Sequence, residues 1–72
     1  MTGNEFLRRI KRLGRERGLV VNFDAAHGKG SHGTLCYGSR RTTLKDLNKE
    51  IGRGLLGKML ADFGLTPRDL NQ

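Results

Sequence analysis

The sequence predicts an α+β domain of two layers, a three-stranded antiparallel sheet with two helices on one of its faces, in the order α-β-β-β-α. Apolar residues recur at helical spacing near both ends, at Phe6, Leu7, Ile10 and Leu13 and again at Leu55, Leu56, Met59, Leu60 and Phe63. Between them stand three short runs with the two-residue alternation of strands, and the breaks are brief enough for an antiparallel meander. Two apolar helix faces and one apolar sheet face are what a two-layer domain buries. With 72 residues the chain is expected to be one domain spanning 1–72, because a fold this short buries only about 60% of the surface its unfolded chain exposes.

The first helix is expected from about Thr2 to Arg17. Thr2 and Glu5 have the spacing of a capping box, in which hydroxyl and carboxylate each satisfy an orphaned amide. Arg8, Arg9, Lys11, Arg12, Arg15 and Arg17 occupy the faces that the apolar stripe leaves, giving the helix a basic coat. Gly18 is the expected terminator, and Gly14 inside the pattern costs about 1 kcal/mol relative to Ala, enough to fray or end the helix there. A strand follows over Leu19 to Asp24, with Leu19, Val21 and Phe23 on one face and Val20, Asn22 and Asp24 on the other. The second strand runs from Thr34 to Tyr37. By alternation Leu35 and Tyr37 share a face with Gly33, and His32, Thr34 and Cys36 share the opposite one. Gly38-Ser39 is a turn into a third strand, Arg40 to Leu44, with β-branched Thr42 and Thr43. Lys45 to Arg53 reads as a loop with a turn of helix. The second helix starts at Gly54, Gly57 within it permits close approach to a neighbour, and Gly64 caps it. Thr66-Pro67 opens a short terminal piece ending near Leu70. No internal repeat, linker or low-complexity segment interrupts this order.

Fourteen Lys plus Arg against seven Asp plus Glu give a net charge of +7. So large a surplus on a small body attracts polyanions. Nucleic acid is favoured over acidic lipid, since no apolar segment is long enough to span a bilayer and no signal-peptide pattern opens the chain. The single Cys36 excludes an intramolecular disulfide and suits a reducing cytoplasm. One Cys and two His also supply too few soft ligands for a zinc site, so no metal or other cofactor is expected.

Between the first two strands lies His27-Gly28-Lys29-Gly30-Ser31-His32-Gly33. Glycine-rich backbone approaches a ligand closely and leaves amides free to meet an anion, while histidines exchange protons near neutral pH. That combination suits phosphate chemistry. RNA is cut without metal when a base takes the proton of a ribose 2′-hydroxyl, the oxygen attacks phosphorus, and an acid protonates the departing 5′-oxygen. His32 is the candidate for proton transfer, a role that contributes about 10² to 10⁴-fold. Lys29 and the amides around Gly28 to Ser31, Gly30 among them, are candidates for holding the phosphate as charge develops on it. The bland alternative for His32 is a half-exposed strand residue. His27 is either a second acid-base group or a solvated loop residue; if it is idle, Lys29, Tyr37 or solvent stands open as the acid. Ser31 either bonds the phosphate or serves ordinary turn chemistry. Arg40, Arg41, Lys45 and Lys49, with the basic coat of the first helix, are the residues that would track a phosphate backbone. Tyr37 and Phe23 can stack on bases, but their faces favour the core.

The element order, with Gly30-Ser31-His32 leading into the second strand, resembles the HicA family of bacterial toxins. The likeness extends from Phe6 to Phe63-Gly64-Leu65. A longer loop, Ala25 to Lys29, precedes the motif here, and Leu44-Lys45-Asp46-Leu47 stands where many members carry a Pro-and-His-containing segment. The resemblance implies a fold similar to double-stranded-RNA-binding domains and a toxin of a toxin–antitoxin system. It further implies cleavage of messenger RNA in the bacterial cytoplasm by a catalytic histidine at His32, with Gly30 and Ser31 as its motif neighbours. The implied partner is a HicB-like antitoxin that masks the active face, in a complex of higher order. The rival from another class is a noncatalytic RNA-binding module; a third is a basic structural protein.

Overall fold

A computed structural model describes residues 1–25, 33–44 and 46–70. The elements are α1 (Gly3–Glu16), β1 (Val21–Ala25), β2 (Gly33–Tyr37), β3 (Arg40–Leu44), α2 (Arg53–Asp62) and a single turn, α3 (Pro67–Leu70). The predicted order and the one-sided helix layer are both present.

Thr2 caps α1, its Oγ1 accepting from the Glu5 amide at 3.2 Å, which is the hydroxyl half of the expected box. Two other first-turn amides are bound by the segment ahead of α2: Gly3 N–H donates to Lys49 O at 3.2 Å and Asn4 N–H to Leu47 O at 2.9 Å. The segment expected as a loop is therefore also a cap, since orphaned donors at a helix start need partners. At the far ends of α1 and α2, Gly18 and Gly64 take positive φ as expected, each closing a six-residue backbone bond, Leu19 N–H to Gly14 O and Leu65 N–H to Leu60 O, both at 2.8 Å.

The sheet is an antiparallel meander in the order β1-β2-β3. Its register aligns Phe23 with Leu35 and Thr42, and Asn22 with Cys36 and Arg41. The hairpin between β2 and β3 turns on two residues, and Gly38 adopts φ +62°, a conformation that the glycine-first hairpin turn demands. One face carries Leu35, Tyr37, Thr42 and Leu44, all buried. Against them pack Phe6, Ile10 and Leu13 of α1, Met59 and Leu60 of α2, and Phe63, Leu65 and Leu70 after it. Phe63 joins the layers, its ring 6.4 Å from that of Phe6 and 5.3 Å from that of Tyr37.

Three expectations are corrected, those for Leu19, Leu55 and Gly57. Leu19 is 40% exposed and not in the sheet, because its amide is spent on the exit of α1 and the ladder begins at Val21. Leu55 is 41% exposed; at about 100° per residue it projects roughly 90° from the centre of the Met59, Leu60 and Phe63 stripe. α1 runs through Gly14 to Glu16, in keeping with the expected span of about Thr2 to Arg17, and Gly14 is buried against β1. A Cβ there would lie 2.3 Å from Val21 Cγ2, so the absent side chain is what lets helix and sheet touch. Gly57 has no such neighbour, with nothing within 4 Å of a Cβ built on it.

The two glycines should respond oppositely to alanine. Gly14→Ala is expected to destabilise by about 1–3 kcal/mol through overpacking, whereas Gly57→Ala should gain up to about 1 kcal/mol of helix propensity. Urea midpoints of the two variants and the wild type check this; a gain from Gly14→Ala would mean that α1 and β1 are not in contact there.

Candidate nucleic-acid interface

Among the described residues, helices cover only one face of the sheet. On the other, β1 contributes Asn22 and Asp24, β2 contributes Thr34 and Cys36, and β3 contributes Arg41 and Thr43. All are exposed except the half-buried Cys36. The register sets them in two cross-strand rows, Asn22-Cys36-Arg41 and Asp24-Thr34-Thr43, with directly opposed side chains about 4.5–5.5 Å apart at Cβ. Among the described strand residues this surface holds hydroxyls, an amide, a thiol, one carboxylate and one guanidinium, and Val20, just ahead of β1, is 78% exposed. It can hydrogen-bond an extended polar ligand, and Arg41 is its cation.

Arg40 and Arg41, expected together, are separated. Adjacent strand residues point to opposite faces, and Arg40 falls on the helix side. Its Nη1 donates to Asp62 O at 3.4 Å, a cation placed against the negative end of α2. Below it Thr42 Oγ1 donates to Asp62 Oδ2 at 2.8 Å, tying the edge strand to the helix. A ligand lying on the open face meets Arg41 and not Arg40. Tyr37 is buried at 4% exposure beneath the helices, so it neither stacks on bases nor delivers a proton to the open face. Phe23 lies on the same helix-side face, where it packs against the core. His27, Lys29, Gly30, Ser31 and His32 lie outside the described residues, as does Lys45.

A second polar surface comes from α1. Arg8, Lys11, Arg12 and Arg15 are exposed along it. Arg12 approaches Glu16 at 3.7 Å, while Arg8, Lys11 and Arg15 have no carboxylate partner among the described residues. Beside this face a groove runs between α1 and α3, where Arg9 Nη1 donates to Leu70 O at 3.4 Å. Asp69 closes its end: Oδ1 accepts from Arg17 Nη2 at 3.0 Å, and Oδ2 from the Thr66 amide at 2.9 Å and its hydroxyl at 3.1 Å. The Thr66 amide, then its hydroxyl and the Arg17 guanidinium, hold the Asp69 carboxyl below the usual carboxylate range against the opposing effect of partial desolvation. No local pattern signals this tie, because Arg17 and Asp69 are 52 residues apart.

Comparison of the chain with models of protein families, with curated proteins and with solved structures finds no match.

The Tyr37 hydroxyl is buried and makes no well-formed hydrogen bond among the described residues, the Arg17 guanidinium being the polar group beside it, a situation that costs about 1–3 kcal/mol. Tyr37→Phe should therefore keep or raise stability, by up to about 1 kcal/mol in urea unfolding, and a clear loss would mean that the hydroxyl has a partner. For Asp69 the lowered pKa means that the folded state binds fewer protons than the unfolded one. Its contribution is present above the unfolded carboxylate pKa of about 3.9 and is lost as pH falls through the folded value. The stability gap between wild type and Asp69→Ala is thus expected to be constant near neutrality and to close below about pH 4; a gap that widens on acidification would reverse the assigned sign.

Proposed function

We propose that the chain is a metal-independent endoribonuclease that cleaves messenger RNA by proton transfer at His32, the toxin half of a pair whose antitoxin covers the cleavage face. The observation that carries the reading is the polar, helix-free sheet face, whose central strand begins at the residue directly after Gly30-Ser31-His32. The resemblance of that motif and of the element order to HicA toxins supports the same conclusion. So does a net charge of +7, which favours a polyanionic substrate.

In this mechanism a base takes the proton from the ribose 2′-hydroxyl and the freed oxygen bonds to the adjacent phosphorus. The bond from phosphorus to the 5′-oxygen breaks, and an acid returns a proton to that oxygen, leaving a cyclic phosphate and a 5′-hydroxyl. His32 performs one of the two proton transfers. Lys29 and the amides of Gly30 and Ser31 hold the phosphate, His27 lies within the same motif, and Arg41 meets the strand on the sheet. A cytoplasmic site of action follows from the substrate. The noncatalytic alternative, an RNA-binding module, draws on the basic coat of α1, which needs no chemistry to be useful.

Wild type and His32→Ala separate the two. Wild type is expected to cut RNA in EDTA, giving cyclic phosphate ends, and to arrest growth unless its antitoxin is coexpressed. His32→Ala should bind RNA within about threefold of wild type and lose cleavage by at least the 10²-fold expected of a general acid or base. Cleavage at the wild-type rate by the variant would refute the role of His32, and RNA binding without products from wild type would establish the binding module.

A further inference from the structure

We infer that the outer face of α1 is a second RNA-contact surface, which grips the phosphate backbone of a strand at a place apart from the open sheet face. The inference rests on reading the chain as RNA-directed, and it adds where, and with which groups, a long RNA is held.

Phe6, Ile10 and Leu13 turn one side of α1 into the core. At about 100° per residue, Arg8, Lys11, Arg12 and Arg15 project from a sector roughly 100° wide whose centre lies about 180° from that stripe. Their separations of three and four residues make them neighbours along the helix, about 5–6 Å apart at Cβ, a ladder of cations suited to successive phosphates. Asn4 and the half-buried Leu7 flank it, and no acidic side chain shares the surface they line. Among the described residues the single carboxylate that reaches any of the four is Glu16, on Arg12.

α1 lies on the covered side of the sheet, so this ladder faces away from Asn22, Thr34 and Arg41. A helix with its side chains is about 10 Å across, and the two surfaces are separated by at least that depth. One strand must pass around an edge of the domain to touch both. The α1 face therefore adds affinity for long RNA without depending on the group that is cut. Its contacts are to phosphate and carry no sequence information.

The test uses an RNA of about 20 nucleotides with 2′-O-methyl groups, which cannot be cleaved by 2′-hydroxyl attack, so the result is independent of whether the chain is a nuclease. Fluorescence anisotropy compares wild type with R8Q/K11Q/R15Q and with a charge-matched control, R53Q/K58Q/R68Q. Glutamine keeps helix propensity at exposed positions. The α1 variant is expected to bind at least tenfold more weakly and to lower the slope of log K against log salt by about 2, near 0.7 for each lost single-strand phosphate contact. The control should change affinity less than threefold. Arg41→Gln combined with the α1 changes should lose affinity by the product of the separate losses, as independent surfaces do. Equal losses in the α1 and control variants would reduce the effect to net charge and overturn the inference. So would unaltered binding by the α1 variant, a combined loss well short of the product, or tighter α1-dependent binding to phosphatidylserine vesicles than to RNA.

Discussion

The faces of this molecule are decided by the register of its β2–β3 hairpin. Strand side chains alternate, so a slip of one residue would exchange Leu35, Tyr37, Thr42 and Leu44 for Thr34, Cys36, Arg41 and Thr43. That slip would bury a guanidinium and strand four core residues in water. A two-residue turn with Gly38 at φ +62° permits one pairing, Tyr37 with Arg40, and the rest of the ladder follows from it. Thr42 adds a second lock, because its hydroxyl reaches Asp62 only from the helix side. With the register set, both helices must lie on the face that carries the apolar residues, and the polar face is left without a helix among the described residues.

Patterns of period two and period 3.6 were legible in the sequence because burial imposes them directly. Phe6, Ile10, Leu13, Leu35, Tyr37, Met59, Leu60 and Phe63 announce themselves that way, and all are buried. Leu19 and Leu55 broke the same rule for a common reason: each sits at the margin of an element, where a backbone bond or a quarter-turn of helix outweighs the apolar pattern. Gly14 and Gly57 show the limit from another side. Both read as helix-interior glycines, and their difference lies in Val21 Cγ2, an atom from another element that no local pattern contains. The same holds for the amides of Gly3 and Asn4, which are bound by a segment more than 40 residues away.

The candidate site divides likewise. Arg40 and Arg41 look equivalent by charge, yet strand parity alone puts them on opposite faces, so their separation was available in the sequence to a reading by period. The open-face neighbours Asn22, Asp24, Thr34 and Cys36 were likewise legible. The interaction of Arg17 with Asp69 was not, because it depends on how α3 returns to the end of α1. The motif residues from His27 to His32 stand out by composition, and the chemistry proposed for them rests on that composition and on the likeness it carries.

The arrangement of charge on α1 bears on what the domain is for. Arg8 with Arg12 and Lys11 with Arg15 are like-charged pairs at four residues, and Arg8 with Lys11 and Arg12 with Arg15 are pairs at three. Each such pair disfavours a helix by about 0.2–0.5 kcal/mol, so the four together cost about 1–2 kcal/mol before screening. Glu16 offsets a little of this through one exposed ion pair, worth no more than about 0.5 kcal/mol, and only Arg15 stands where the helix dipole favours a cation. Core packing gives no reason for the cluster, because these side chains point away from it. Spreading the same charges among carboxylates would yield a more stable helix with equal solubility. The fold therefore carries a repulsion that anions settling between the cations would relieve, and under the RNA-directed reading proposed above that relief would appear as binding energy that salt weakens.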